Sequence, residues 1–145
     1  MPQRLRQRRR TLGLLGPSLA VFLVACLEQP ADLRPSIELL TTSSGEVQEQ
    51  ALRTLTSHGR AALPALEAVM HRTDPKARHA GVLALRRLGL SETAPLLGHV
   101  AQFDADRSIR REARTVLERW AAEKNPRAEA AQKALFAAAS GDLAD

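Results

Sequence analysis

The fold is decided by residues 74–89, DPKARHAGVLALRRLG, and by residues 106–121, DRSIRREARTVLERWA, which repeat the same pattern further along the chain. In both stretches small or apolar residues return every three or four positions, which predicts an amphipathic helix with one buried face. The aspartate that opens each stretch is followed four positions later by an arginine, Arg78 or Arg110. A unit of this length cannot bury its apolar face alone, so we expect neighbouring copies to stack.

The composition favours an all-α fold. Aromatic residues form only 3% of the chain and hydrophobic residues 44%, so Leu, Ala, Val and Ile have to build the core. Leu and Ala are strong helix formers, and no segment alternates apolar and polar residues for long enough to predict a strand. The expected architecture is a short α-solenoid of about three helix pairs, followed by a C-terminal capping helix.

The net charge of +5 comes from the N-terminus. Residues 1–25 contain five arginines and no acid, whereas the rest of the chain carries 16 basic and 16 acidic side chains. A strongly basic protein normally suggests nucleic-acid binding, but here the part that is expected to fold is neutral. The distribution of charge therefore argues against a nucleic-acid partner.

The N-terminal segment is organised like an export signal. A basic stretch precedes an apolar run, residues 12–25, which is too short for a membrane span and typical of a signal peptide. The run ends in Leu23-Val24-Ala25-Cys26, and the chain has no other cysteine. These four residues resemble the lipobox of bacterial lipoproteins. The resemblance implies a lipoprotein signal peptide in residues 1–25, cleavage before Cys26 and attachment of lipid to its thiol.

Two other interpretations stay open, namely an ordinary secretory signal with a chance cysteine and an uncleaved anchor. The residue after the cysteine is Leu27, not the aspartate that retains many Gram-negative lipoproteins in the inner membrane. The resemblance therefore implies the outer membrane, facing the periplasm. Arg9 and Arg10 faintly resemble a twin-arginine signal, although Gly13 departs from that pattern. Two prolines in residues 26–36 predict a short tether between the lipid and the folded part.

The first predicted helix pair is the least regular. Residues 46–58 fit the pattern of the quoted stretches, with Val47, Ala51 and Leu55 in the buried positions, and a short helix in residues 37–42 precedes them. An atypical sequence is expected of an end repeat, because only one of its sides packs on a neighbour.

The second and third pairs share their helix signals. Each outer helix, predicted in residues 60–71 and 91–102, has a proline near its start, where the missing N–H is tolerated. Side-chain caps are expected at helix starts and glycine at a helix end. The predicted caps are Asp74, Ser91 and Asp106, and the predicted ending glycine is Gly89.

A last helix is predicted in residues 127–139, with Trp120 filling the space between it and the last repeat. Its packing face is expected to consist of Ala128, Ala131, Leu135 and Ala138. The repeat domain would then cover residues 37–139, and residues 140–145 would form a flexible tail.

These units resemble HEAT repeats, in particular the short HEAT-like type that is also found in phycobilisome lyases. The matching features are the Leu-Pro of the outer helix, the turn aspartate, the arginine four positions later and the spacing of small residues and leucines. The resemblance covers about residues 37–121. It implies the fold and says little about function, because this architecture serves many roles.

Stacking would place five arginines on the concave surface of the solenoid. A cluster of guanidinium groups could bind the carboxylates or phosphates of an anionic partner surface. The alternative is a solvated, partly self-paired charged face, in which the turn acids serve only to cap helices and pair with arginines. The candidate binding residues are Arg78, Arg86, Arg110, Arg111 and Arg114.

The sequence contains no known catalytic motif, and we expect no cofactor and no metal. The four histidines share no ligand spacing, and there is no Gly-rich phosphate loop, serine nucleophile motif or Cys–His arrangement. The first hypothesis is therefore a lipid-anchored adaptor of the cell envelope that binds another protein and is not an enzyme. The alternatives are an accessory subunit or lyase-like enzyme of the HEAT-like family, and a structural envelope lipoprotein.

Overall fold

The computed structural model describes residues 32–141, and this part of the chain folds into seven α-helices without a strand. The predicted signal peptide, Cys26 and the end of the predicted tail lie outside the described residues. None of the described helices is long and apolar enough to cross a membrane. The helices are α1 Arg34–Thr42, α2 Glu46–Ser57, α3 Leu63–Met70, α4 Pro75–Leu88, α5 Ala94–Phe103, α6 Arg107–Ala121 and α7 Pro126–Ser140.

The first six helices form three consecutive helical hairpins, α1–α2, α3–α4 and α5–α6, and α7 packs on both helices of the third. Neighbouring hairpins meet through their second helices, with α2 against α4 and α4 against α6, and α1 also packs on α4. This arrangement confirms the predicted all-α solenoid with a C-terminal capping helix.

One leucine in each of the first six helices is completely buried, and together these side chains mark the axis of the core. In the second helices they occupy equivalent positions of successive repeats, as the pattern in the sequence requires. Burying a leucine side chain contributes about 2 kcal/mol, so this repeated contact is a principal source of stability. The six residues are Leu40, Leu55, Leu66, Leu85, Leu97 and Leu117.

The helix starts that carry an aspartate cap form as predicted. The carboxylate of Asp74 accepts a hydrogen bond from the backbone N–H of Lys76 at 3.0 Å, and that of Asp106 accepts one from Ser108 at 2.7 Å. Gly89 follows α4 with a φ of 62°, a left-handed conformation that glycine adopts without steric cost. These features fix where the two long second helices begin and where α4 ends.

The predicted cap at Ser91 is wrong. Ser91 starts a 3₁₀ turn, Ser91–Thr93, and α5 begins only at Ala94. The buried Thr93 donates its hydroxyl hydrogen bond to the carbonyl of Leu90 at 2.7 Å, which stabilises the turn instead. A matching 3₁₀ turn, Gly59–Ala62, precedes α3, so both outer helices begin later than the sequence pattern indicates.

The folded part also begins earlier than predicted. Helix α1 starts at Arg34, inside the stretch 26–36 that was expected to be a tether, because Pro35 falls in the first turn where no N–H is needed. Leu33 is buried in the core. Val47 was predicted to be buried but is 48% exposed, because no described helix covers its side of α2.

A glycine sets the distance between α5 and the capping helix. A Cβ atom at Gly98 would lie 3.2 Å from both the Cβ and the carbonyl oxygen of Ala134, so a larger residue would require α7 to shift by a few tenths of an ångström. Helix α7 buries Ala134 with Ala128 and Ala131, whereas Leu135, predicted on this face, is only partly buried. The atoms that meet Gly98 include the backbone carbonyl of Ala134, which cannot move aside as the end of a flexible side chain can.

We expect Gly98→Val to destabilise the protein by about 1–3 kcal/mol, because the added side chain overpacks the contact with α7. Urea unfolding followed by circular dichroism measures the change. The matched control is His99→Val, which places the same side chain at the next, exposed position of the same helix and should cost less than about 0.5 kcal/mol. Equal losses in the two variants would contradict the close packing of α5 and α7.

Candidate functional site

Arg78, the first of the predicted groove residues, forms a largely buried ion pair between two repeats. Its Nε and Nη2 atoms donate to the two carboxylate oxygens of Asp104 at 2.8 and 3.0 Å. Its Nη1 atom donates to the carbonyls of Arg72 and Thr73 at 2.9 and 2.8 Å. The side chains of Arg78 and Asp104 are only 11% and 4% exposed. Arg78 therefore joins the α3–α4 turn to the α5–α6 turn and is not available to a partner.

The electrostatics of Asp104 agree with a structural role. Burial alone would raise the pKa of its carboxyl group, but hydrogen bonds from Arg78 and from the backbone N–H of Asp106 bring the pKa below the ordinary value of 3.8. The folded state therefore holds Asp104 as a carboxylate, and its charge is balanced within the structure.

Two further ion pairs join α4, the second helix of the middle hairpin, to the second helices of the other two hairpins. Arg86 donates to Glu112 at 2.9 Å, joining α4 to α6, and Arg87 donates to Glu49 at 2.7 Å, joining α4 to α2. Both pairs are partly exposed, so each adds less than about 1 kcal/mol to stability. Their larger effect is to neutralise the concave surface that α2, α4 and α6 share.

A hollow of about 590 Å³ lies on this concave surface, and we call it the groove hollow. It is built from α2, α4 and α6, with further residues from the start of α7 and the turn before it. Apolar side chains lie among charged ones, and most of the charges are paired with each other. The lining residues are Gln48, Glu49, Leu52, Leu83, Arg86, Arg87, Arg119, Trp120, Glu123 and Arg127.

Trp120 closes one end of the groove hollow and is 2% exposed. The guanidinium carbon of Arg127 lies 5.0 Å from the centre of its ring, a cation–π contact. Arg127 also donates to the carboxylate of Glu123 and to the carbonyl of Gly89. Trp120 thus fills the space between the last repeat and the capping helix, as predicted, and Arg127 holds its outer face.

The other predicted groove residues form a second, separate hollow of about 250 Å³. It is lined by Ala101 of α5 and by four arginines of α6, which occupy one face of that helix at spacings of three and four positions. We call these arginines the end face. They are Arg107, Arg110, Arg111 and Arg114.

The structure therefore divides the predicted cluster of five arginines into three environments. Arg78 is buried between repeats, Arg86 lies at the groove hollow, and the remaining three belong to the end face. Sequence reasoning missed Arg107, although its position one turn before Arg110 on the same helix face could have indicated it. Arg87 and Arg119 were also missed, although they occupy equivalent positions of the two quoted stretches and that shared position could have indicated them.

Within residues 32–141, no group of three or more His, Cys, Asp or Glu side chains is close enough to hold a metal ion. His99 packs against Phe103 with ring centres 4.9 Å apart, on the exposed side of α5.

Comparison with known families agrees with the helical hairpins described above. The model of the family described as HEAT repeats matches residues 33–118, more than half of the chain. The chain belongs to the HEAT-repeat family. No curated protein sequence matches it.

A solved structure with a similar fold is the complex of CpcE and CpcF of phycocyanin lyase from Nostoc sp. PCC7120. The similarity has a TM-score of 0.58 at 22% sequence identity and covers 74% of this chain and 65% of that chain. At this identity the likeness establishes the fold, and about a third of the neighbour has no counterpart here.

The prediction that the protein is not an enzyme is contradicted by this comparison, because the similar chain belongs to the complex of a lyase. That prediction depended on the lack of short catalytic motifs in the sequence. In a helical-repeat fold, residues from several repeats meet on one surface, as they do at the groove hollow. The lack of a local motif is therefore not sufficient to exclude catalysis.

We expect Asp104→Asn to lower the free energy of unfolding at pH 7 by about 2 kcal/mol, because it leaves the largely buried guanidinium group of Arg78 without its counterion. In the unmodified protein the stability due to this carboxylate is complete above the ordinary pKa. It is lost as the pH falls below about 4 and through the lower pKa of the folded state. Urea unfolding at pH 7 and pH 3 measures both effects.

The matched control is Glu112→Gln, which removes the partly exposed pair with Arg86 and should cost less than about 1 kcal/mol. The Asp104→Asn variant should also lose less stability than the unmodified protein between pH 7 and pH 3. If the two substitutions were equally mild, the pair between the turns would not hold the repeats together.

Proposed function

We propose that this chain is a HEAT-repeat subunit that binds another protein in its groove hollow and acts within a lyase-like complex. The observation that carries the proposal is the construction of the groove hollow from one helix of each of the three repeats. The hollow therefore depends on the stacked fold. The similar solved structure, a complex of two chains of a lyase, supports a role in a multi-chain assembly.

The chemistry of the groove hollow suits an apolar anchor residue of a partner. Its volume of about 590 Å³ lies within the usual range of binding pockets, about 300–1,000 Å³. The half-buried Leu83 offers apolar surface, the core residue Leu52 lies at the wall of the hollow, and the ion pair between Glu49 and Arg87 lies beside them. A central apolar anchor surrounded by polar groups is the usual arrangement of a protein interface.

Site-specific photo-crosslinking tests the proposed surface. A photoreactive phenylalanine analogue placed at the half-buried Leu83 should form adducts with a defined partner in cell extract, identified by mass spectrometry. The matched control places the same analogue at Ala68, an exposed position of the first helix of the second hairpin. We expect the Leu83 variant to give at least about tenfold more adduct, because the anchor binds at the groove hollow. Equal adducts from both positions would contradict this binding surface.

We further propose that the subunit is attached to the bacterial outer membrane, facing the periplasm, through lipid on Cys26. The support is the sequence alone, in which a basic stretch and a short apolar run lead to Leu23-Val24-Ala25-Cys26. Several acyl chains would give stable attachment, where a single chain is marginal. Under this proposal the partner is a protein of the cell envelope.

Mass spectrometry of the N-terminal peptide tests the attachment. In a bacterial host with lipoprotein processing, the mature peptide should begin at Cys26 and carry the mass of its acyl chains. The Cys26→Ser variant should lose this mass and move from the membrane fraction to the soluble fraction. An unmodified cysteine in the unaltered protein would contradict lipid attachment.

A further inference from the structure

The charges that line the groove hollow do not cancel. Four arginines and two glutamates take part in its wall. Three of these arginines form ion pairs with carboxylates of the chain itself, whereas Arg119 forms none within residues 32–141. The three pairs are Arg86 with Glu112, Arg87 with Glu49, and Arg127 with Glu123.

Arg119 occupies on α6 the position that Arg87 occupies on α4, and the two residues differ in what they bind. Arg87 reaches the first hairpin and donates to the carboxylate of Glu49 at 2.7 Å. No carboxylate of the described residues plays this part for Arg119, which is exposed and lies at the wall of the groove hollow. Its guanidinium group is therefore open to an acid that comes from outside the described chain.

Glu123, one turn after Arg119, is already bound by other residues. Its carboxylate accepts hydrogen bonds from the Nε atom of Arg127 at 3.0 Å and from the side-chain amide of Asn125 at 2.7 Å. These two bonds, with that of Arg127 the stronger, hold the pKa of Glu123 below its ordinary value of 4.5, whereas Arg119 acts on it only through its charge. Once Glu112 is counted with the wall, one positive charge remains at the groove hollow.

The acids at the C-terminus of the chain lie at the opposite end of α7. This helix of 15 residues starts beside the groove hollow with Arg127 and is about 22 Å long. It ends at Gly141, next to the side chain of Gln102 in α5. The four residues that follow span at most about 14 Å when fully extended, so this tail falls short of the groove hollow.

We propose that the groove hollow selects a partner segment in which an aspartate or glutamate accompanies the apolar anchor, and that Arg119 binds the carboxylate. The proposal rests on the proposed function, because it assumes that another protein binds in the groove hollow. The unpaired guanidinium group beside the apolar surface of Leu83 supplies the complementary charge.

The chemistry of arginine makes this selection one of specificity. A guanidinium group offers two parallel N–H donors, which bind a carboxylate in bidentate geometry. A segment with a basic residue at the same place meets a like charge and is rejected. The apolar anchor thus provides contact area in the groove hollow, and Arg119 decides which anchored segments bind.

Selection from a phage library of random peptides, each about twelve residues long, tests the preference. The full-length chain is the bait, and clones that also bind the Leu83→Lys variant are removed, so that the remaining clones report on the groove hollow and not on the end face. We expect Asp or Glu beside a large apolar residue at least about threefold more often than in the unselected library, because charge-assisted hydrogen bonds favour acidic clones. Selection on the Arg119→Gln variant should lose this enrichment.

Affinities of a selected peptide complete the test. The peptide is synthesised with both ends blocked, so that its acidic side chain is its only carboxylate, and binding is followed by fluorescence anisotropy. Replacing the acid by its amide, or Arg119 by Gln, should each weaken binding about tenfold, and the two changes together should cost little more than either alone. The matched control is Arg107→Gln, an exposed arginine of the same helix outside the groove hollow, which should leave the affinity unchanged. All variants should retain the helical circular dichroism spectrum.

Three results would overturn the proposal. The first is a selection that yields no acidic enrichment or no clones, and the second is equal affinity for the acidic peptide and its amide. The third is a rise in peptide affinity on Glu28→Gln, which would identify the chain's own N-terminal segment as the occupant. Crosslinking at Leu83 needs no acid in the partner, so adducts there would uphold the proposed function even if the preference for an acid failed.

Discussion

The ion pair between Arg78 and Asp104 is the least exposed ion pair among the described residues, and it joins two neighbouring hairpins. One guanidinium group satisfies two carbonyls of its own turn and both carboxylate oxygens of the next turn, so two neighbouring hairpins share one rigid junction. A pair of this kind costs desolvation energy and gives specificity of arrangement in return. Here it holds the start of α4 against the turn between α5 and α6.

Much of the fold could be predicted because its signals are local. Aspartate caps at Asp74 and Asp106, the glycine after α4 and the recurring leucines each act within a few residues or at a constant spacing. The start of α1 was missed because a proline can begin a helix as readily as interrupt a chain. The burial of Val47 was mispredicted because periodicity shows which side of a helix is apolar, not whether anything covers it.

The candidate site was less predictable, since it depends on contacts between distant residues. The sequence placed Arg78 and Arg110 in equivalent positions, and their backbone bonds are indeed equivalent. Their different roles arise from Asp104, which the next hairpin supplies to Arg78 and which has no counterpart beyond Arg110 among the described residues. A single sequence does not reveal such a long-range pairing. Catalytic residues are equally hard to recognise in one sequence, because they can come from different repeats and need not form a short motif.

The two hollows differ in how a partner could be chosen. In the groove hollow, pairs such as Arg87 with Glu49 balance most of the charge, so shape and apolar contact would dominate there and Arg119 would add the preference for an acid. At the end face the positive charge is less compensated, so binding there would depend on salt concentration.

The side chain of Arg127 links α7 to the second hairpin as well as to the third. It covers the ring of Trp120 in the third hairpin and donates to the carbonyl of Gly89, at the end of the second hairpin. Repeat proteins often lose their end units one at a time. This bridge couples the C-terminal helix to the middle of the chain, so amide hydrogen exchange in the two regions should proceed through a common opening event rather than through stepwise fraying.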